Sequence, residues 1–241
     1  MVILETHCHT KYSKDSMLSF FLLYLKCKIC KIDYIAITEH NNIQGAIEFK
    51  KYCIRKKASV HVIIGEEIMT SQGEVIGLFL HDEVPPGLSC NETIDLIKKQ
   101  NGIVYIPHPY DEKRSKTVLV EECIKNNAYR IDCIECYNGR NISESYGFKQ
   151  NEIADKYGLT KVIGSDAHTI WEIGRNYMLV DRLPDSPEQF KKAIEDAHFH
   201  KKKCLKISHK ITKLVKFIRM MEKRNFNEIY RIINKRFRKP M

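Results

Sequence analysis

Seven short runs of β-branched and apolar residues recur along this 241-residue chain, and nearly every run ends in His, Asp or Glu. The runs are Val2–His7, Asp33–Thr38, Val60–Gly65, Glu74–Leu80, Ile103–Pro107, Ile131–Cys136 and Lys161–Gly164. Stretches with helical spacing separate most of them: Met17–Cys30, Ile43–Lys57, Asn91–Gln100, Val118–Asn126, Ser143–Tyr157 and Pro187–His198. Strands alternating with helices predict an α/β fold with a parallel sheet or barrel, and the length suits one such barrel. The connection between Val60–Gly65 and Glu74–Leu80 is too short for a helix, so strict alternation breaks there.

Strand C-termini in a parallel barrel converge on one face. The run ends therefore predict a shared pocket: Glu5, His7 and His9 in ETHCHT, Glu39 and His40 in ITEHN, and Glu66 and Glu67 in GEEI. His81 and Asp82 in FLHDE, His108 and Asp111 in IPHPYD, and Asp166 and His168 in GSDAHT complete the set. Glu5, His7 and His9 share one face because strand side chains alternate. Any one of these histidines alone is ordinary, but imidazoles and carboxylates gathered without thiolates suit Zn, Mn or Fe and argue against a closed structural zinc site. Several carboxylates able to bridge ions imply more than one metal, an arrangement suited to phosphoryl chemistry. The chain has neither a Gly-x-Ser-x-Gly elbow nor a Gly-x-x-x-x-Gly-Lys-[Ser/Thr] loop, which sets aside serine-hydrolase and P-loop chemistry.

The net charge of +10 is unevenly spread. Residues 201–241 hold 15 Lys/Arg against two acids, Glu222 and Glu228, leaving 25 against 28 in residues 1–200. Within the basic stretch Ile207, Ile211, Leu214, Ile218 and Met221 recur at helical spacing. This predicts a helix whose apolar stripe packs on the barrel while its lysines are solvated, with nucleic-acid or membrane-surface binding as the sharper alternative. The expected division is a barrel over 1–205 and a basic helical tail over 206–241. Leu18–Leu25 reads as part of a buried helix, too short to span a bilayer. The start MVILETHCHT lacks signal-peptide character. Nine cysteines, an odd number, favour free thiols in a reducing cytoplasm. Cys27/Cys30 and Cys133/Cys136 are expected to pack as buried thiols rather than hold zinc.

His7-x-His9, Ser13-Lys14-Asp15, ITEHN at 37–41, GEEI at 65–68, IPHP at 106–109 and GSDAH at 164–168, in this order, resemble the PHP (polymerase and histidinol phosphatase) family. The resemblance implies a distorted seven-stranded (β/α)7 TIM-like barrel, two or three divalent metals, and phosphoester hydrolysis. It places His7, His9 and Asp166 on one metal, bridged by Glu67 to a second that His108 also holds. Glu67 is preferred to Glu66 because the family pattern sets one residue between Gly65 and the ligand. Asp15, His40 and His168 hold a third, and His81 stands where some members carry a further ligand for the second. Among these, Asp166 and His168 are the catalytic candidates, with His168 or an arginine steadying the departing group. Glu5 and Glu135 are expected to support ligands without binding metal. Arg114, Arg140 and Arg175 are candidates for phosphate. The expected substrate is a phosphomonoester of a small metabolite or nucleotide; the alternatives are an exonuclease on short oligonucleotides and a non-catalytic nucleic-acid-binding or assembly module.

Overall fold

The computed structural model describes residues 1–114 and 116–222. The strands are β1 (Val2–Cys8), β2 (Tyr34–His40), β3 (His61–Thr70), β4 (Gly73–Leu78), β5 (Ile103–Ile106), β6 (Cys133–Asn138), β7 (Lys161–Gly164), β8 (Tyr177–Val180) and β9 (His198–His200). The helices are α1 (Phe20–Cys30), α2 (Gln44–Arg55), α3 (Cys90–Lys99), α4 (Glu121–Asn127), α5 (Glu144–Lys156), α6 (Pro187–Glu195) and α7 (Lys206–Glu222). One sheet runs β7-β6-β5-β4-β3-β2-β1-β8-β9. It curls until the end of β7 meets β1: Cys8 bridges Ala167, and the His9 amide donates to the Ala167 carbonyl at 2.9 Å. The result is a nearly closed TIM-like barrel of β1–β7, which correspond to the seven expected runs. β8 and β9 add two strands beyond that expectation; β8 is held by antiparallel pairing with Val2–Leu4 of β1, and β9 by pairing with β8.

β4 is antiparallel to both β3 and β5. β3 runs on to Thr70 and turns through Ser71 and Gln72 into β4, and a connection that short permits only antiparallel pairing. Gly73 supplies the positive φ of 122° that the turn requires. β4 therefore begins at the end of the barrel where its neighbours finish.

Leu4, Ala36, Ile63, Ile76, Leu78, Tyr105 and Val162 fill the barrel, while α3–α5 cover one flank and α1 with α2 another. α3 starts on a capping box of Ser89 and Glu92, and α6 on Ser186 followed by Pro187. Two expectations need correction. Leu18, Leu23 and Cys27 of the α1 region are buried, but Phe21, Leu22, Leu25 and Ile29 are exposed, because the helix lies on the outside of the barrel and has only one inner side. Cys27, Cys30, Cys133 and Cys136 are free as expected, yet Cys90 and Cys123 form a disulfide that ties the start of α3 to α4. Their separation of 33 residues gives no local signal. Among the described residues no helix is long and apolar enough to cross a membrane.

Candidate metal centre

β1 ends inside the barrel mouth, where strand alternation turns Glu5, His7 and His9 to the interior, all fully buried. The Nε2 atoms of His7 and His9 lie 3.1 Å apart. Each also approaches Asp166 Oδ1, at 3.7 and 3.5 Å, and Glu67, at 3.5 and 3.3 Å. His40, the last residue of β2, pairs in register with Glu67 on β3 and sets Nδ1 3.0 Å from its Oε2. His108, just beyond β5, brings Nε2 to 3.0 Å from Glu67 Oε1. Asp15, in the loop after β1, places Oδ1 3.4 Å from His40 Nε2 and 3.3 Å from His168 Nε2. The structure thus brings His7, His9, Asp15, His40, Glu67, His108, Asp166 and His168 into one cluster.

Glu74 joins this cluster without a strand-end motif to mark it in the sequence. It is the second residue of β4, opposite Met69, so it shares a face with Glu67, and its Oε2 lies 3.5 Å from His108 Nε2. His40, Glu67 and Glu74 form one of three overlapping donor groups, with His7, His9, Asp166 and His9, His40, His168, in each of which the ligand atoms lie within 4.8 Å. His81, expected as a ligand, lies outside the site: it is exposed, and its backbone N–H donates to Gln100 Oε1. The reversal of β4 explains both outcomes, since its beginning and not its end faces the centre.

The hydrogen bonds around the cluster favour cation binding. His7 Nδ1 donates to Glu135 at 2.8 Å, and His168 Nδ1 donates to the Asp166 carbonyl at 2.8 Å. His9 Nδ1 donates to Ser13 Oγ at 3.1 Å, because the serine hydroxyl is itself spent on Glu39. With Nδ1 the donor, each ring in its neutral form would turn an Nε2 lone pair toward the centre. Asp15 Oδ1 and Glu67 Oε2 are buried with no hydrogen-bond partner among the described residues. Two lone pairs and several carboxylate oxygens facing each other at 3–4 Å call for positive charge between them, and an oxygen and nitrogen set without thiolate suits Mn, Zn or Fe.

The electrostatics express the same demand. Burial opposes charge on His7 and His40, but Glu67 with Asp166 and Glu135 around the first, and Glu67 with Asp15 around the second, lift both well above the ordinary histidine range. His9 is pushed down to about 3 by burial and then by His168 and His40. Burial would raise Asp166, yet Arg114 and His7 hold it well below the usual carboxylate range. Glu74 is pushed up to about 7 by burial and the neighbouring Glu67.

Supporting residues fix the ligands. Glu135 accepts from His7, from Tyr105 Oη at 2.6 Å, from the His108 amide at 2.6 Å and from Asn138 at 2.8 Å. Glu5 accepts instead from the backbone N–H groups of His7 and Ser165, so it holds β1 to the turn after β7. Glu39 binds Thr10 and Ser13 and thereby sets the loop that carries His9 and Asp15. Gly164 is required by close approach: a Cβ there would lie 2.7 Å from His7 Cβ. His108 and Asp166 adopt φ of 29° and 51°, left-handed conformations that cost about 1–2 kcal/mol each in a non-glycine residue and often mark functional sites.

Of the three arginines, Arg114 donates to Asp166 at 2.6 Å and lies 3.1 Å from Asp111. Arg140 is buried, donates to Thr212 Oγ1 at 2.9 Å and lies 3.6 Å from Glu172. Both line a cavity of about 750 Å³ that opens over Asp15, His40, Glu74, Asp166 and His168. Arg175 is not among its lining residues and instead donates to the Lys203 carbonyl at 2.8 Å.

α7 forms one wall of this cavity, and its orientation reverses expectation. Ile207 and Leu214 of the apolar stripe are 60% and 58% exposed, with Ile218 and Met221 also turned outward, whereas Ser208, Val215 and Met220 are buried. The seat is polar, so the polar side of the helix meets it: Ser208 approaches Thr169, Thr212 accepts from Arg140, and Arg219 donates to the Lys11 carbonyl. Residues 223–241 of the expected tail lie outside the described residues.

The PHP domain family model matches residues 5–234. An uncharacterized protein of Methanocaldococcus jannaschii is 34% identical over 194 residues, covering 77% of this chain and 76% of its own. A second protein of that organism is 44% identical over 116 residues, covering 44% and 67%. Among solved structures, a two-domain Bacteroides vulgatus protein described as containing a predicted PHP-like metal-dependent phosphoesterase has a TM-score of 0.65 at 19% identity. That likeness covers 83% of this chain but only 65% of the other. PsfC from Pseudomonas syringae has a TM-score of 0.64 at 14% identity, covering 91% and 98%. At these identities the structural likeness concerns the fold.

Proposed function

This chain belongs to the PHP domain family, and from that premise we propose that it is a metal-dependent phosphoesterase hydrolysing a phosphomonoester of a small metabolite or nucleotide. The observation that carries the reading is the fixed direction of the imidazoles: His7, His9 and His168 have Nδ1 tied down and Nε2 turned inward beside Glu67, Asp15 and Asp166. His7, His9 and Asp166 would hold one ion, Glu67, His108 and Glu74 a second, and Asp15, His40 and His168 a third, with Glu67 shared. Two or three Mn, Zn or Fe ions there would supply a nucleophile at neutral pH and offset charge on the phosphoryl group.

The chain's own residues do the rest. Arg114, held by Asp111 and Asp166, lines the cavity, where its remaining guanidinium N–H groups suit phosphate oxygens. Glu135 and Glu39 hold the ligands rigid, so little reorganisation accompanies the reaction. With Nδ1 of His168 on the Asp166 carbonyl and Nε2 turned to the third ion, an arginine is the better candidate to steady the departing oxygen. Nothing among the described residues favours nucleic acid over a small substrate.

Metal analysis of the purified protein, with hydrolysis of 4-nitrophenyl phosphate under added Mn²⁺, tests the reading. Asp166→Ala and His108→Ala are each expected to lower kcat/KM at least about 100-fold while leaving a folded barrel, the scale on which removal of such groups acts. Near-normal turnover in either variant overturns the assignment.

A further inference from the structure

Five lysines, Lys14, Lys113, Lys206, Lys213 and Lys216, line the cavity over the metal centre. They come from the loop after β1, the loop after β5 and one side of α7, so folding, not sequence proximity, gathers them. None has a carboxylate within 4.0 Å among the described residues. The two arginines beside them are charge-paired, Arg114 through Nε and Nη2 with Asp111 and Asp166 and Arg140 with Glu172, which leaves Arg114 Nη1 to reach a phosphate. The carboxylates that share the cavity, Asp15, Glu74, Asp111 and Asp166, lie with the metal-site histidines or pair with Arg114, so the five ammonium groups leave local positive charge that a bound anion offsets. A single phosphate at the centre would be served by the metal ions and Arg114, leaving the lysines over.

Resting on the phosphoesterase reading, we infer that the substrate is a small molecule with two anionic groups, one placed at the metal centre and the other held by Lys213 and Lys216 on α7. α7 is then the specificity wall of the site. Lys206, Lys213 and Lys216 border the cavity, while Ile207, Leu214, Ile218 and Met221 of the apolar stripe are exposed. Lysine suits the role because its flexible stem accepts phosphate or carboxylate without fixing the geometry of either.

The test uses the full-length, Mn²⁺-loaded protein and a series of linear alkanediol bisphosphates, with the matching monophosphates and ω-carboxyalkyl phosphates. Binding is measured by isothermal titration and turnover by phosphate release. For at least one chain length the doubly anionic compound is expected to bind ten or more times tighter than its monophosphate. In Lys213→Ala/Lys216→Ala that ratio falls toward one, whereas in Lys210→Ala, on the same helix but not lining the cavity, it persists. The carboxylate arm tells whether the second group must be a phosphate. The inference is overturned if no chain length gives a preference, or if Lys210→Ala erodes it as much as the paired variant. Lysine-dependent preference without hydrolysis retains the anion site and removes the phosphoesterase reading; hydrolysis without preference does the reverse.

Discussion

Glu74 and His81 sit near the two ends of β4, and the direction of that strand alone separates a candidate ligand from a surface histidine. Glu74 is buried 3.5 Å from His108, with His40 and Glu67 in the same donor group. Replacing it by glutamine keeps the shape and removes the charge, so Glu74→Gln is expected to weaken metal binding about 10–100-fold, the range for groups that shape a metal site. His81→Ala should leave metal content and turnover unchanged. Metal titration followed by mass spectrometry of the loaded proteins checks both; equal behaviour of the two variants would count against the geometry. Glu135 illustrates the complementary case, since its two oxygens accept four hydrogen bonds and its importance lies in orientation.

Among the elements, α3 and α4 are joined by the Cys90–Cys123 disulfide. Closing a loop with a sequence separation of 33 residues restricts the unfolded chain by about 3–4 kcal/mol in the chain-entropy description. Thermal unfolding with and without reductant should therefore show a lower melting temperature on reduction, and Cys90→Ser/Cys123→Ser should match the reduced protein and not respond to reductant. α7 teaches a different lesson about elements. Helical periodicity in Ile207, Ile211, Leu214, Ile218 and Met221 predicted the helix correctly, but not which side would face the barrel. The seat beneath it presents Arg140, Thr169 and backbone carbonyls, and burying an apolar stripe there would strand those polar groups.

For the whole molecule, the centre concentrates buried carboxylates and imidazoles at the barrel mouth, where poorly screened charges oppose folding. Divalent ions that bind only the folded state offset this, contributing about 2.7 kcal/mol per site at a free concentration 100 times the dissociation constant. Chelation with EDTA is expected to lower the melting temperature and abolish phosphoester hydrolysis together, and Mn²⁺ should restore both. A melting temperature indifferent to chelation would argue that these groups do not bind metal.

The seven barrel strands, most helices and the metal-site motifs were legible in the sequence, because strand alternation and strand-end chemistry are local and repeat along the chain. His7-x-His9 shares a face under any register, and GSDAH carries its two candidate ligands within five residues. Only the tertiary structure decided the rest. β8 and β9 form by pairing with an existing edge, Cys90 finds Cys123 across 33 residues, and Glu74 replaces His81 because a hairpin reverses β4. Which residues of α7 border the cavity likewise depends on what the barrel presents beneath the helix. Periodicity states that a helix has two sides; the surface it meets selects the side that is buried.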